Sequence, residues 1–304
     1  LKILVAIPFL CCLAVFVHYY KFRYIPLVAS RNYEDISFKD IEGYTDKLSY
    51  RLSDTIHISL NAKKQGKGYI TKLTNGETVI DSFSVNITKQ IFDEGSAENG
   101  CNWSVYKSIF LDKNYSPGYY SIEYKSNTES SYSHFIIENR AASKVAILAP
   151  VATWVAYNDW GGKSLYKNYF ESKTVYYVSS QRPFQSPINK GESNLSSFFI
   201  KNYEAALLPD YYLETEVALL KNYDVIILAH HCEYFSEKMY KNLRHLIENE
   251  KKSLISLGGN QLYWKTKWDN GFKVMECRKD LTSFSGTTFD YGGMWRHHIF
   301  QSEH

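Results

Sequence analysis

The sequence predicts an α/β doubly wound domain preceded by an antiparallel β-sandwich and, ahead of both, an N-terminal membrane helix. Three observations predict it: an uncharged apolar run from Ile3 to Val17, period-two alternation between about residues 36 and 140, and short apolar runs interleaved with helical segments from Lys144 onward. The 304 residues suffice for two domains, and 35 Lys+Arg against 32 Asp+Glu give a formal charge of +3, which argues against a nucleic-acid partner. With 44% hydrophobic and 22% charged residues the composition is globular, which excludes intrinsic disorder.

The first element is the apolar run. His18, Tyr19 and Tyr20 follow it and lead into Lys21 and Arg23, as an interfacial belt would. A spanning helix needs about 20 apolar residues, and no small-residue cleavage site precedes Lys21. Residues 1–22 are therefore expected to form an uncleaved single-pass membrane anchor, residues 23–35 a linker, and the remainder an extracytoplasmic soluble part. Cys11 and Cys12 lie in the run; Cys101, Cys232 and Cys277 are widely spaced and odd in number, so neither a disulfide framework nor a zinc site is indicated.

The second element, residues 36–142, alternates as a half-buried sheet does. Ile56, Ile58 and Leu60 alternate with His57 and Ser59; Tyr120, Ile122 and Tyr124 follow Pro117-Gly118; Asn75-Gly76 is a hairpin signal. Nothing in this half looks catalytic.

The third element, residues 143–304, is expected to be the α/β domain. Residues 145–149, 174–178, 224–228 and 253–257 are continuous apolar runs, the mark of strands buried on both faces. After Ser236, a good N-cap, Met239, Leu243, Leu246 and Ile247 fall on one helical face. The Ser-, Asn- and Gly-rich stretch near 185–197 is expected to be a mobile loop, and the chain is expected to stop before the last strands of the domain.

In an open α/β sheet, ligands bind beyond the carboxyl ends of the strands. The residues after the four runs place Tyr157, Arg182, His231, Glu233 and Asn260 around one crevice. If the chain stays extended after residue 228, side chains two apart share a face, so His231 and Glu233 point together while His230 and Cys232 point away. An imidazole beside a carboxylate suits a metal site or a general acid–base pair, and also a hydrogen-bonded pair capping the next helix. Gly258-Gly259 is equally a tight turn.

Thr153-Trp154-x-Ala156-Tyr157-Asn158-x-Trp160-Gly161-Gly162-x-Ser164-Leu165-Tyr166, Arg182-Pro183, His231-x-Glu233-Tyr234, Gly259-Asn260 and Cys277-x-Lys279 resemble the C-terminal domain of the N,N-dimethylformamidase large (beta) subunit family. Gly43-Tyr44-x-Asp46-Lys47-Leu48-Ser49 and Pro117-Gly118-Tyr119-Tyr120 resemble it in the sandwich half, so the likeness runs from about residue 43 to about 295. The resemblance implies a glutamine-amidotransferase-like sheet and an amide hydrolase with one iron ion held by two tyrosines and a glutamate. Tyr157 and Glu233 match two ligand positions. The second tyrosine falls on Phe184, whose ring cannot ligate; Tyr177 is a substitute. Where the family reads His-Asp-Glu-Tyr-Trp, this chain reads His231-Cys232-Glu233-Tyr234-Phe235.

In such a site a ferric ion would act as Lewis acid on an amide carbonyl. His231 would move protons, and Asn260 and Lys279 would position the substrate or stabilise negative charge. The expected partners are a small amide substrate and a small subunit or a second copy of the chain. Two other readings stand beside the metal-dependent amide hydrolase. One is a Cys232-dependent amidase with His230 or His231 as base; the other is a non-catalytic surface- or carbohydrate-binding protein on a decayed enzyme scaffold.

Overall fold

A computed structural model of the chain describes residues 38–74, 76–93, 95–165, 175–269 and 271–277. The alternating half forms β1 (Ile41–Thr45), β2 (Ser49–Tyr50), β3 (Thr55–Ala62), β4 (Gly66–Thr74), β5 (Gly76–Val85), β6 (Val105–Phe110), β7 (Gly118–Lys125) and β8 (Ser130–Ile137). They make a sheet of order β1-β3-β6 and another of order β2-β8-β7-β4-β5. Pairing is antiparallel except between the two-residue β2 and β8. Ile56, Ile58 and Leu60 of β3 share one buried core with Ile70, Ile122, Tyr124 and Phe135 of the other sheet, as in a β-sandwich. In β3 the alternating Ile56, Ile58 and Leu60 thus enter the core that the period-two pattern assigns to them.

The second half contains β9 (Val145–Ala149), α1 (Val151–Tyr157), β10 (Tyr177–Ser179), α2 (Lys190–Tyr203), β11 (Ala206–Pro209), β12 (Val225–Ala229), β13 (Tyr234–Ser236), α3 (Glu237–Glu248), β14 (Ser253–Leu257), β15 (Trp264–Trp268) and β16 (Val274–Cys277). Its strands divide between a parallel sheet, β11-β9-β12-β14, and a mixed sheet, β10-β16-β15-β13. The expected α/β doubly wound domain is therefore corrected: the described residues hold about twice as much strand as helix, and the strands are distributed over four sheets.

The physical reasons are local. The apolar run at 174–178 does not enter the parallel sheet, because β10 pairs antiparallel with β16 instead. β9 lies between two parallel neighbours, β12 and β11, and β11 is a run of four residues ending in Pro209. As an edge strand it tolerates a residue that cannot donate to a ladder. β14, the other edge, is exposed along much of its length, so its apolar run is not buried on both faces.

α3 behaves as its pattern predicts. The Ser236 hydroxyl accepts from the Met239 N–H at 3.0 Å, and Met239, Leu243 and Leu246 are buried against the parallel sheet. The loop expected near 185–197 is half helix. Asn189 caps α2 by accepting from the Gly191 N–H at 2.8 Å, and the small side chains of Ser193 and Ser196 let the helix pack closely, both being buried. Backbone bridges from Tyr132 to Phe184 and from Asn139 to Leu207 join the two halves.

Among the described residues no helix is long and apolar enough to cross a membrane. The expected membrane location is thereby corrected: no described helix supports it, and the expected span at 1–22 and linker at 23–35 lie outside the described residues, as does Lys279.

Candidate functional site

Strand β9 ends directly in α1, and that helix grips residue 233 twice. The Thr153 hydroxyl accepts from the Glu233 N–H at 3.0 Å, and one turn on the Tyr157 hydroxyl donates to the Glu233 carboxylate. The carbonyl of Glu233 accepts from the N–H groups of Tyr263 and Trp264 at 2.9 and 2.8 Å, which leads the chain into β13 beside β15. Glu233 is buried, whereas Tyr157 is 38% exposed. The phenol thus faces a cavity of about 280 Å³ with the carboxylate behind it.

His231 borders the same cavity. Its Nδ1 lies 2.7 Å from the carbonyl oxygen of Gly259; a carbonyl only accepts, so Nδ1 carries a proton and Nε2 is the nitrogen left to exchange one. The segment before it departs from the expected geometry. His230 adopts a left-handed φ of 51°, which ends the alternation at Ala229, and both histidines line the cavity with their rings 4.8 Å apart. Burial, followed by the charge of His231, lowers the pKa of His230.

A side chain that sequence reasoning missed holds this turn: the amide of Gln261 donates to the His230 carbonyl and accepts from the Cys232 N–H, the latter at 3.2 Å. Gly258 is needed there, since a Cβ would lie 1.8 Å from the His230 carbonyl oxygen. Asn260 is exposed at the tip of the same turn, with φ of 54°, and does not line the cavity.

Two further expectations are corrected. Arg182 does not face the crevice. It is fully buried and donates to the carbonyls of Ser179, Trp160, Lys163 and Asn158 at 3.0, 2.9, 2.8 and 2.7 Å, tying the loop after α1 to the end of β10. Burial lowers its pKa to about 10. Cys232 points into the core beside Leu148 and Phe235, its thiol donating to the Ala229 carbonyl at 3.4 Å, and burial pushes its pKa well up. A thiol held neutral and away from the cavity is no nucleophile, which removes the support for a Cys232-dependent amidase. Trp160, in the same run as Tyr157, also has a structural part: its indole donates to Glu42 of β1 at 2.9 Å.

Phe184 lines the cavity, its ring 4.9 Å from that of His134 of β8. His134 donates from Nε2 to the Ser186 carbonyl at 2.8 Å, and burial lowers its pKa to about 4, so the ring is neutral. Tyr177, the substitute ligand considered, lies on β10 and does not border the cavity. Among the described residues no three or more His, Cys, Asp or Glu side chains could hold a metal together. Of the iron donors that the resemblance implies, Tyr157 and Glu233 are in contact, while the third position presents a phenyl ring. The described residues therefore do not complete that donor set.

Glu192, in the first turn of α2, was missed because its stretch reads as a loop. The signal was Asn189 followed three residues later by Glu192, the spacing of a helix N-terminus.

The family described as N,N-dimethylformamidase beta subunit-like, C-terminal, matches residues 69–304. No curated protein matches the chain. The match begins within β4 and takes in the whole cavity-bearing half together with Tyr157, His231 and Glu233, so this chain belongs to the N,N-dimethylformamidase beta subunit-like family.

Proposed function

We propose that the chain is a hydrolase of small amides, acting on a carbon–nitrogen bond other than a peptide bond. One observation carries the reading: the Tyr157–Glu233 pair and the basic Nε2 of His231 meet at one cavity in a chain of this family. Imidazole nitrogen with a fixed tautomer is suited to take a proton from water as it adds to an amide carbonyl. The Tyr157 oxygen, its proton engaged by Glu233, is a second acceptor able to orient that water. No step is routed through a metal, because the implied donor set is incomplete at Phe184.

Phe184 also favours a second reading, a binding protein that keeps the cavity and has lost the chemistry. The test is amine release from a panel of small formamides and acetamides by the full chain, with Tyr157→Phe as comparison and metal content measured on the same sample. Turnover that falls in the variant supports the hydrolase; ligand binding without turnover by the wild type transfers the cavity to the second reading.

A further inference from the structure

Helix α1 carries two aromatic side chains at i and i+3, hence on one face, and each holds a carboxyl group. Tyr157 holds Glu233; Trp154 donates its indole N–H to both oxygens of Glu192, at 3.0 and 3.2 Å. Glu192 is only 3% exposed, yet it borders the cavity that Tyr157 and His231 also border. Leaving a carboxyl group in such a place is costly unless it is neutral or paired with a cation, and among the described residues none of the groups acting on it is a cation.

The groups that face it come from several elements. Tyr119 of β7 hydrogen bonds it and is itself bonded to Ser196 at 3.1 Å. Asp210, after β11, is a like charge that disfavours its ionisation, and His230 and His231 lie at the same cavity. Burial, the largest effect, pushes its pKa up to about 8 against the two hydrogen bonds, so the group keeps its proton at neutral pH.

We propose that Glu192 is the proton donor to the departing amine. This rests on the amide-hydrolase reading and completes it. Water adds to the carbonyl carbon and gives one proton to His231 Nε2. As the tetrahedral adduct collapses to the carboxylic acid, the C–N bond breaks with its electron pair going to nitrogen, and the Glu192 O–H proton moves to that nitrogen. The proton on His231 then returns through solvent to Glu192. Acid and base are thereby divided between two groups at one cavity, Glu192 and His231.

The experiment compares two formamides with the full chain. N-methylformamide has a strongly basic leaving amine that needs a proton; N-(4-nitrophenyl)formamide has a leaving group that departs with little help. Glu192→Gln should lose about 100- to 10,000-fold on the first and less than about tenfold on the second, and should lose the alkaline fall of the pH–rate profile. Trp154→Phe removes a hydrogen bond that favours the carboxylate, so it should move that fall to higher pH. It also decides the matter if thermal melting shows the Gln variant unfolded. Equal losses on both substrates, or an alkaline fall unmoved by the substitutions, would overturn the proposal while leaving the hydrolase reading intact. A wild type inactive on both formamides and on the wider panel would overturn both.

Discussion

The two halves of the molecule bury polar groups for different ends. In the sandwich half several buried hydroxyls join strand to strand, within a sheet and across the two: Tyr124 bonds Ser133 at 2.8 Å, Ser133 donates to the Gly43 carbonyl at 3.0 Å, and Ser131 to the Ile41 carbonyl at 2.7 Å. In the second half they hold turns. Arg182 binds four carbonyls, Gln261 clamps the His230 turn, and Asp210 accepts from the Ala152 N–H at 3.2 Å at the start of α1. Equal burial therefore fixes strand against strand in one half and gives a cavity its outline in the other.

The strongest break in this contrast is chemical. His231→Ala should lose about 100- to 10,000-fold in amide turnover, the usual contribution of a general base, while its melting temperature changes little because the ring is partly exposed. Gln261→Ala should reduce turnover indirectly, by loosening the His230 turn, and should be distinguishable by a fall in stability as well.

Arg182→Met comes next. It leaves four buried carbonyls without their donor and should cost at least about 3 kcal/mol, read as a lowered denaturant midpoint. An equally large effect on turnover at a temperature where the variant is folded would show that Arg182 does more than hold the loop.

A smaller effect concerns pH. Burial raises Asp210 and Glu192 to about 8 each. A carboxyl group whose pKa is higher folded than unfolded binds its proton more tightly in the folded state. Its contribution is full below the unfolded value, near 4, and is lost as pH rises to about 8. Stability should thus decline across that window, and Asp210→Asn should flatten the decline in chemical denaturation measured at several pH values. The least effect is expected in the sandwich. Tyr124→Phe should cost about 1 kcal/mol and leave turnover unchanged; a change in turnover would erase the distinction between the halves.

The sequence made some of this legible and hid the rest for identifiable reasons. Strong periodicity disclosed the sandwich strands, β9, β12 and α3, and the rule that ligands gather at strand ends pointed to Tyr157, His231 and Glu233, of which Tyr157 contacts Glu233 and shares a cavity with His231. It failed at β11, where four residues ending in Pro209 are too short to register, and at 174–178, where composition cannot say which sheet accepts a strand. His230 was misplaced because alternation presumes an extended backbone, and a left-handed residue ends it. Arg182 shows a different limit: a guanidinium after a strand reads the same whether it meets a ligand or its own loop's carbonyls.

The wall formed by His134, Phe184 and Ser186 brings together residues separated by about fifty positions along the chain, the His134–Ser186 bond alone spanning 52. Contacts of such separation need the intervening loop closed first, so they form late in folding. Helix α3, whose contacts begin with its own cap, can form early, but the cavity becomes competent only when β8 and the segment after β10 have both arrived. Ligand capture during refolding should therefore lag behind recovery of secondary structure, and a chain arrested partway would carry most of its helices and strands while remaining blind to its substrate.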